Sequence, residues 1–110
     1  MEGKVVWVLG RNEVVINKGS EDGVSEDTIF YLVEPLQIKD RFHGNNLLGE
    51  INKVTGYCTV LELHDYMAVL YVDTSEAPVD VPIYLWEPAK RLSSGMNVIK
   101  LEEEGEGEEE

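Results

Sequence analysis

Between Val14 and Val24 the chain passes from a β-branched run, Val14-Val15-Ile16, into a polar loop bracketed by Gly19 and Gly23. Side chains branched at Cβ are stiff at χ1 and favour extended backbone, whereas glycine reaches the positive φ values that a tight corner needs. The stretch therefore predicts a strand that ends in a sharp corner, with Asn17, Gly19, Ser20 and Gly23 as its structural residues. In this reading Gly19 and Gly23 supply left-handed geometry, while Asn17 and Ser20 hydrogen-bond the loop backbone.

The same grammar recurs along the chain. Short β-type runs are predicted at Lys4 to Leu9, Glu13 to Asn17, Thr28 to Glu34, Leu47 to Val54, Gly56 to Leu63, Tyr66 to Val72, Ile83 to Trp86 and Asn97 to Leu101. Turn chemistry separates them, and no window repeats apolar residues at helical spacing for long. Pro35 is read as ending its strand or placing the last residues on an edge, with Leu36 to Asp40 as a short extended piece before a turn at Arg41 to Asn46. Asp73 to Pro82 reads as an exposed loop, and Ala89 to Leu92 as one helical turn. Gly49, inside a strand-like run, predicts a bulge or a close approach where a Cβ would clash. The expected fold is all-β, a small closed or partly open β-barrel of about six to seven short antiparallel strands.

At 110 residues the chain has length for one core. It divides into a barrel domain at 1–101 and an acidic tail at 102–110. Seven of the 22 acids lie in the tail, so residues 1–101 hold 15 acids against nine bases, a net charge of −6. So dense a run of like charge predicts a disordered tail, either a solubilising extension or an arm for a basic surface. Scattered bases disfavour nucleic acid and an anionic membrane as partners. The single Cys58 cannot form an internal disulfide and reads as a small core residue. The N-terminal apolar run is too short for a signal peptide or membrane span, so the expected location is cytoplasmic.

Candidate chemistry is sparse. Asp40, His43, Cys58, His64 and Asp65 are dispersed, with no ligand spacing for a metal, and no cofactor is expected. No Gly-x-Ser-x-Gly elbow is present, and the acidic loop between Gly19 and Gly23 lacks the Lys of a phosphate loop. Tyr84, Leu85 and Trp86, held between Pro82 and Pro88, are either an interface anchor for a protein partner or a cap on the barrel's open end. Trp7 is expected in the core.

In order, the residues Asn17-x-Gly19-Ser20, Gly23-Val24, Ile38-x-Asp40, Leu48-Gly49-Glu50 and Val60-x-Glu62-Leu63 resemble the small β-barrel domain at the C-terminus of the flagellar assembly protein FlgT. More loosely, they are similar to barrel modules of the rod-shape protein MreC. The likeness covers residues 4–72. It implies a barrel that works through protein contacts and has no catalytic residues to carry over.

The expected function is thus a non-catalytic protein-binding or assembly module. One alternative is an acidic decoy that occupies a basic nucleic-acid-binding surface of a partner; a second is a small hydrolase with an unrecognised site. Partner identity and oligomeric state are left open by the sequence.

Overall fold

A computed structural model describes residues 1–101; the expected tail at 102–110 lies outside the described residues. Six strands form: β1 (Glu2–Val8), β2 (Glu13–Ile16), β3 (Ile29–Asp40), β4 (Asn46–Leu63), β5 (Ala68–Asp73) and β6 (Asn97–Lys100). They hydrogen-bond in the order β1-β2-β5-β4-β3-β6, and pairing of β1 with β6 closes the barrel. Every pair of strands is antiparallel. Closure leaves the barrel wall without a free edge.

Period-2 alternation explains the core. Ala68, Leu70 and Val72 of β5 point inward with Val5, Val14, Ile16, Phe30, Leu32, Cys58 and Val98, while Val69 and Tyr71 stand outside. Trp7 is the exception to its predicted place. A bulge at Val6 shifts the β1 register, so Trp7 pairs with Val15 on the outer side and is 65% exposed. Without that extra residue it would share the face of Val5.

Gly56 permits the tightest packing in the wall. A Cβ there would meet the Cγ1 of Val72 at 2.7 Å and the side chain of Leu32 at 3.4 Å.

A second apolar cluster lies on the outside of the wall. Val81 packs over Val33 and Val54, joined by half-buried Tyr31, Leu85, Trp86 and Ile99. This is why both faces of β3 are apolar at its barrel end. The segment predicted as a strand at Ile83 to Trp86 is instead a 3-10 turn at Ile83–Leu85, after which Trp86 forms a single parallel bridge to Val54. Pro82 and Pro88 confine the segment to the five residues between them, whose N–H groups at Leu85 and Trp86 bond locally to the Pro82 and Ile83 carbonyls. Ala89 to Leu92 forms no helical turn.

The corner after β2 keeps its place with altered roles. Asp22, not Ser20, closes it, accepting the Gly19 N–H at 2.9 Å. Gly23 is left-handed at φ 94°, as predicted. Gly19 is extended, with φ −140°. Its lack of a side chain matters because a Cβ would lie 2.5 Å from the Met67 nitrogen and 2.6 Å from the Asp65 carbonyl carbon. Ser20 and Glu21 donate their N–H groups to the carbonyls of His64 and Asp65, tying the corner to the β4–β5 turn. Asn17 reaches back to β1, its Oδ1 accepting the Lys4 N–H at 2.9 Å.

Candidate functional site

The β3–β4 pair outgrows the barrel. The neighbour β6 pairs with β3 only as far as Val33, and β5 pairs with β4 only from Tyr57 onward. Residues 34–40 and 46–53 consequently have each other as ladder partners and project as a two-stranded arm. Seven paired residues at about 3.3 Å each give it a reach of roughly 23 Å. A register shift at Leu32/Val33 marks its root, where the buried Thr55 hydroxyl donates to the Leu32 carbonyl at 3.2 Å.

Pro35 does not end β3. It occupies the arm where β6 has already left, and the strand runs on to Asp40. An edge position is where a proline can sit without costing a ladder hydrogen bond, so the edge half of the prediction holds. The two runs predicted at Leu47 to Val54 and Gly56 to Leu63 are likewise one strand of 18 residues.

The arm exposes large apolar side chains among its charged and polar ones. Leu36 faces Ile51 across the ladder, and Ile38 faces Gly49. Leu36, Ile38, Phe42, Leu47, Leu48 and Ile51 are all exposed. Gly49 does neighbour a register shift, at Ile38/Lys39, but a Cβ on it would meet no atom within 4 Å. The close approach expected of Gly49 belongs to Gly56.

The tip is closed by its own hydrogen bonds. Asp40 accepts the Phe42 N–H at 3.0 Å and contacts His43 Nδ1 at 2.7 Å, while its carbonyl accepts the Asn45 N–H at 2.9 Å. Gly44 and Asn45 take positive φ, 76° and 59°, residue types that tolerate it. The turn leaves Phe42 93% exposed.

The predicted trio is divided. Leu85 and Trp86 pack into the outer cluster, whereas Tyr84 is exposed beside exposed Ile83. They cover the side of the wall, not the barrel's open end. Trp86 is held there by the Glu87 N–H to Val54 carbonyl bond at 3.0 Å and the Lys53–Glu87 ion pair at 3.1 Å.

An acidic cleft of about 370 Å³ lies between the wall and the 73–80 loop. Tyr31 and Tyr57, with ring centroids 6.3 Å apart, line it together with Asp73, Glu76 and Asp80. Burial, then the nearby Asp80 and Tyr57, push the Tyr31 hydroxyl pKa up. The Ser75 hydroxyl, then its N–H, hold Asp73 below the usual carboxylate range.

The two histidine–carboxylate contacts, Asp40 with His43 and Glu62 with His64, lie at opposite ends of β4. Among the described residues no group of three or more His, Cys, Asp or Glu side chains could hold a metal ion. Among them, no helix is long and apolar enough to cross a membrane. Cys58 is free and buried, and burial pushes its thiol up to about 12.

The sequence reading missed the arm as a site. Its available signal was length: two alternating runs around a single turn, longer together than a small barrel wall needs, with a proline inside one of them. No family model matches the chain. No curated protein matches it either.

Proposed function

We propose that this protein is a non-catalytic binding or assembly module that engages a protein partner through the β3–β4 arm. The observation that carries the reading is an arm paired only with itself that nonetheless exposes six large apolar side chains. Exposed apolar residues gathered on one projection mark contact surfaces, whereas the same residues scattered singly would not. An assembly role is also what the likeness to the FlgT barrel domain implies. A cytoplasmic location belongs to this proposal.

The test is cross-linking mass spectrometry on the partner complex, with full-length protein and a Phe42→Ser/Leu48→Ser variant. Cross-links should fall on 34–53 and be lost in the variant. Cross-links mapping to the Tyr84 side, unchanged in the variant, would remove the arm from the proposal.

A second reading is favoured by the acidic cleft, whose lining includes Asp73, Glu76 and Asp80 and neither Lys nor Arg. It suits the alternative in which an acidic surface covers a basic nucleic-acid-binding one. Strong weakening by salt and displacement by nucleic acid would distinguish it from arm-mediated binding, which is apolar and tolerant of salt.

A further inference from the structure

The two long edges of the arm are chemically unequal. Pro35 lies across from Asn52, and a proline nitrogen has no hydrogen to give. The ladder stays regular around it only if backbone groups at this pair point away from each other, to the outer edges. The Val54 carbonyl fixes the same phase, since it accepts the Glu87 N–H outside the β3–β4 ladder. Alternation by two then sets the N–H and C=O groups of Glu50 and Asn52 along the outer edge of β4. The ladder of β5 starts only at Tyr57, so it does not reach them. Pro35 interrupts the corresponding edge of β3, whereas the edge of β4 carries no proline between the register shift at Leu48 and the Val54 carbonyl held by Glu87.

We infer that two copies of this chain join along this β4 edge, antiparallel about a two-fold axis through Ile51. The inference rests on the arm being the binding surface. Its register follows by elimination. An axis at Glu50 would oppose two carboxylates directly, and one at Asn52 would bring Glu50 onto Val54, whose carbonyl Glu87 already holds. An axis at Gly49 would run the ladder through the extra residue Leu48, where the register shifts.

With the axis at Ile51, outward groups meet outward groups. Glu50 exchanges hydrogen bonds with the partner's Asn52, and Ile51 stands against the partner's Ile51. Leu36, across the ladder from Ile51, extends this into an apolar row over four strands. Charge favours the same occupant. Residues 34–53 hold three acids and three bases, while the rest of 1–101 holds twelve acids against six bases. Two copies therefore meet with least repulsion at the arm.

Sedimentation velocity of the full chain over a roughly hundredfold concentration range should show monomer converting to dimer. Asn52→Pro removes an outward N–H and no bond within the arm; it should weaken association by at least about tenfold. Gln37→Pro places the same ring on the outer edge of β3 and should leave association unchanged. Under mild oxidation Ile51→Cys should form an intermolecular disulfide and Lys53→Cys should not. This second measurement holds whether or not Asn52→Pro folds. A monomer at every concentration overturns the inference, as does a dimer that Ile51→Cys fails to cross-link. If copies stay apart while a foreign partner still cross-links to 34–53, the functional proposal stands and the self-association falls. If a foreign partner cross-links elsewhere and copies stay apart, both fall.

Discussion

Gly56 and Val72 stand so close across the β4–β5 ladder that a Cβ on the glycine would lie 2.7 Å from the valine Cγ1. Val72 is fully buried and has no room to retreat. Gly56→Ala should therefore destabilise the barrel by about 1–3 kcal/mol, the range for overpacking a tight core. Gly49→Ala is the control, since a Cβ there meets nothing within 4 Å. It should be neutral or stabilising by up to about 1 kcal/mol. Urea midpoints of the two variants check both, and equal loss in each would refute the assignment of close approach to Gly56.

Trp86 and Tyr84 are two residues apart and should respond unequally to truncation. Trp86 packs with Val33, Val54 and Val81, so Trp86→Ala should cost about 1–3 kcal/mol, below the full range for a buried aromatic because the ring is only half-buried. Tyr84 is 73% exposed, and Tyr84→Ala should change stability by no more than about 0.5 kcal/mol. Thermal denaturation monitored by tryptophan-independent far-UV signal separates them. A larger loss in Tyr84→Ala would contradict the packing described.

The barrel was legible because its signals are local. Alternation in Ala68 to Val72 and the β-branched run at Val14 to Ile16 mark inward faces without reference to the rest of the chain. Trp7 was misread because one extra residue, Val6, inverts which face it joins, and a bulge leaves no mark in the alternation itself. The arm was hidden for the opposite reason. Leu36, Ile38 and Ile51 carry the pattern of a barrel strand, and only the lengths of β5 and β6 determine that no neighbour reaches them. Tyr84, Leu85 and Trp86 read as a unit in the sequence, but the 3-10 turn leaves Tyr84 in solvent while Leu85 and Trp86 pack on the wall, where a strand would have put Tyr84 and Trp86 on one face.

Cys58 makes the pH response of stability specific. Burial raises its thiol from the ordinary 9.0 to about 12. The unfolded chain thus releases the proton before the folded one does. This contribution is complete below pH 9 and is lost as pH climbs toward 12, at about 1.4 kcal/mol per pH unit inside that window. Cys58→Ala should flatten the alkaline loss relative to the parent, read as urea midpoints at successive pH values. The native thiol should also resist a thiol-reactive dye until denaturant is added. Rapid labelling of the folded protein would show that Cys58 is accessible.

Stability should also differ along β4 itself. Around Cys58 the strand has β3 on one side and β5 on the other, whereas Ile51 has β3 alone. A two-stranded ribbon is marginal in water, so the arm should open locally at a lower free energy than the barrel. Native-state amide exchange at concentrations where the chain is monomeric should place Leu36, Ile38 and Ile51 well below Cys58 and Val60 in protection. Asp40→Ala, which removes the acceptor of the Phe42 N–H at the tip, should lower arm protection further while leaving the thermal midpoint of the barrel unchanged. Uniform protection along β4 would mean that the arm and barrel unfold together, and that contacts beyond the β3–β4 ladder hold the arm.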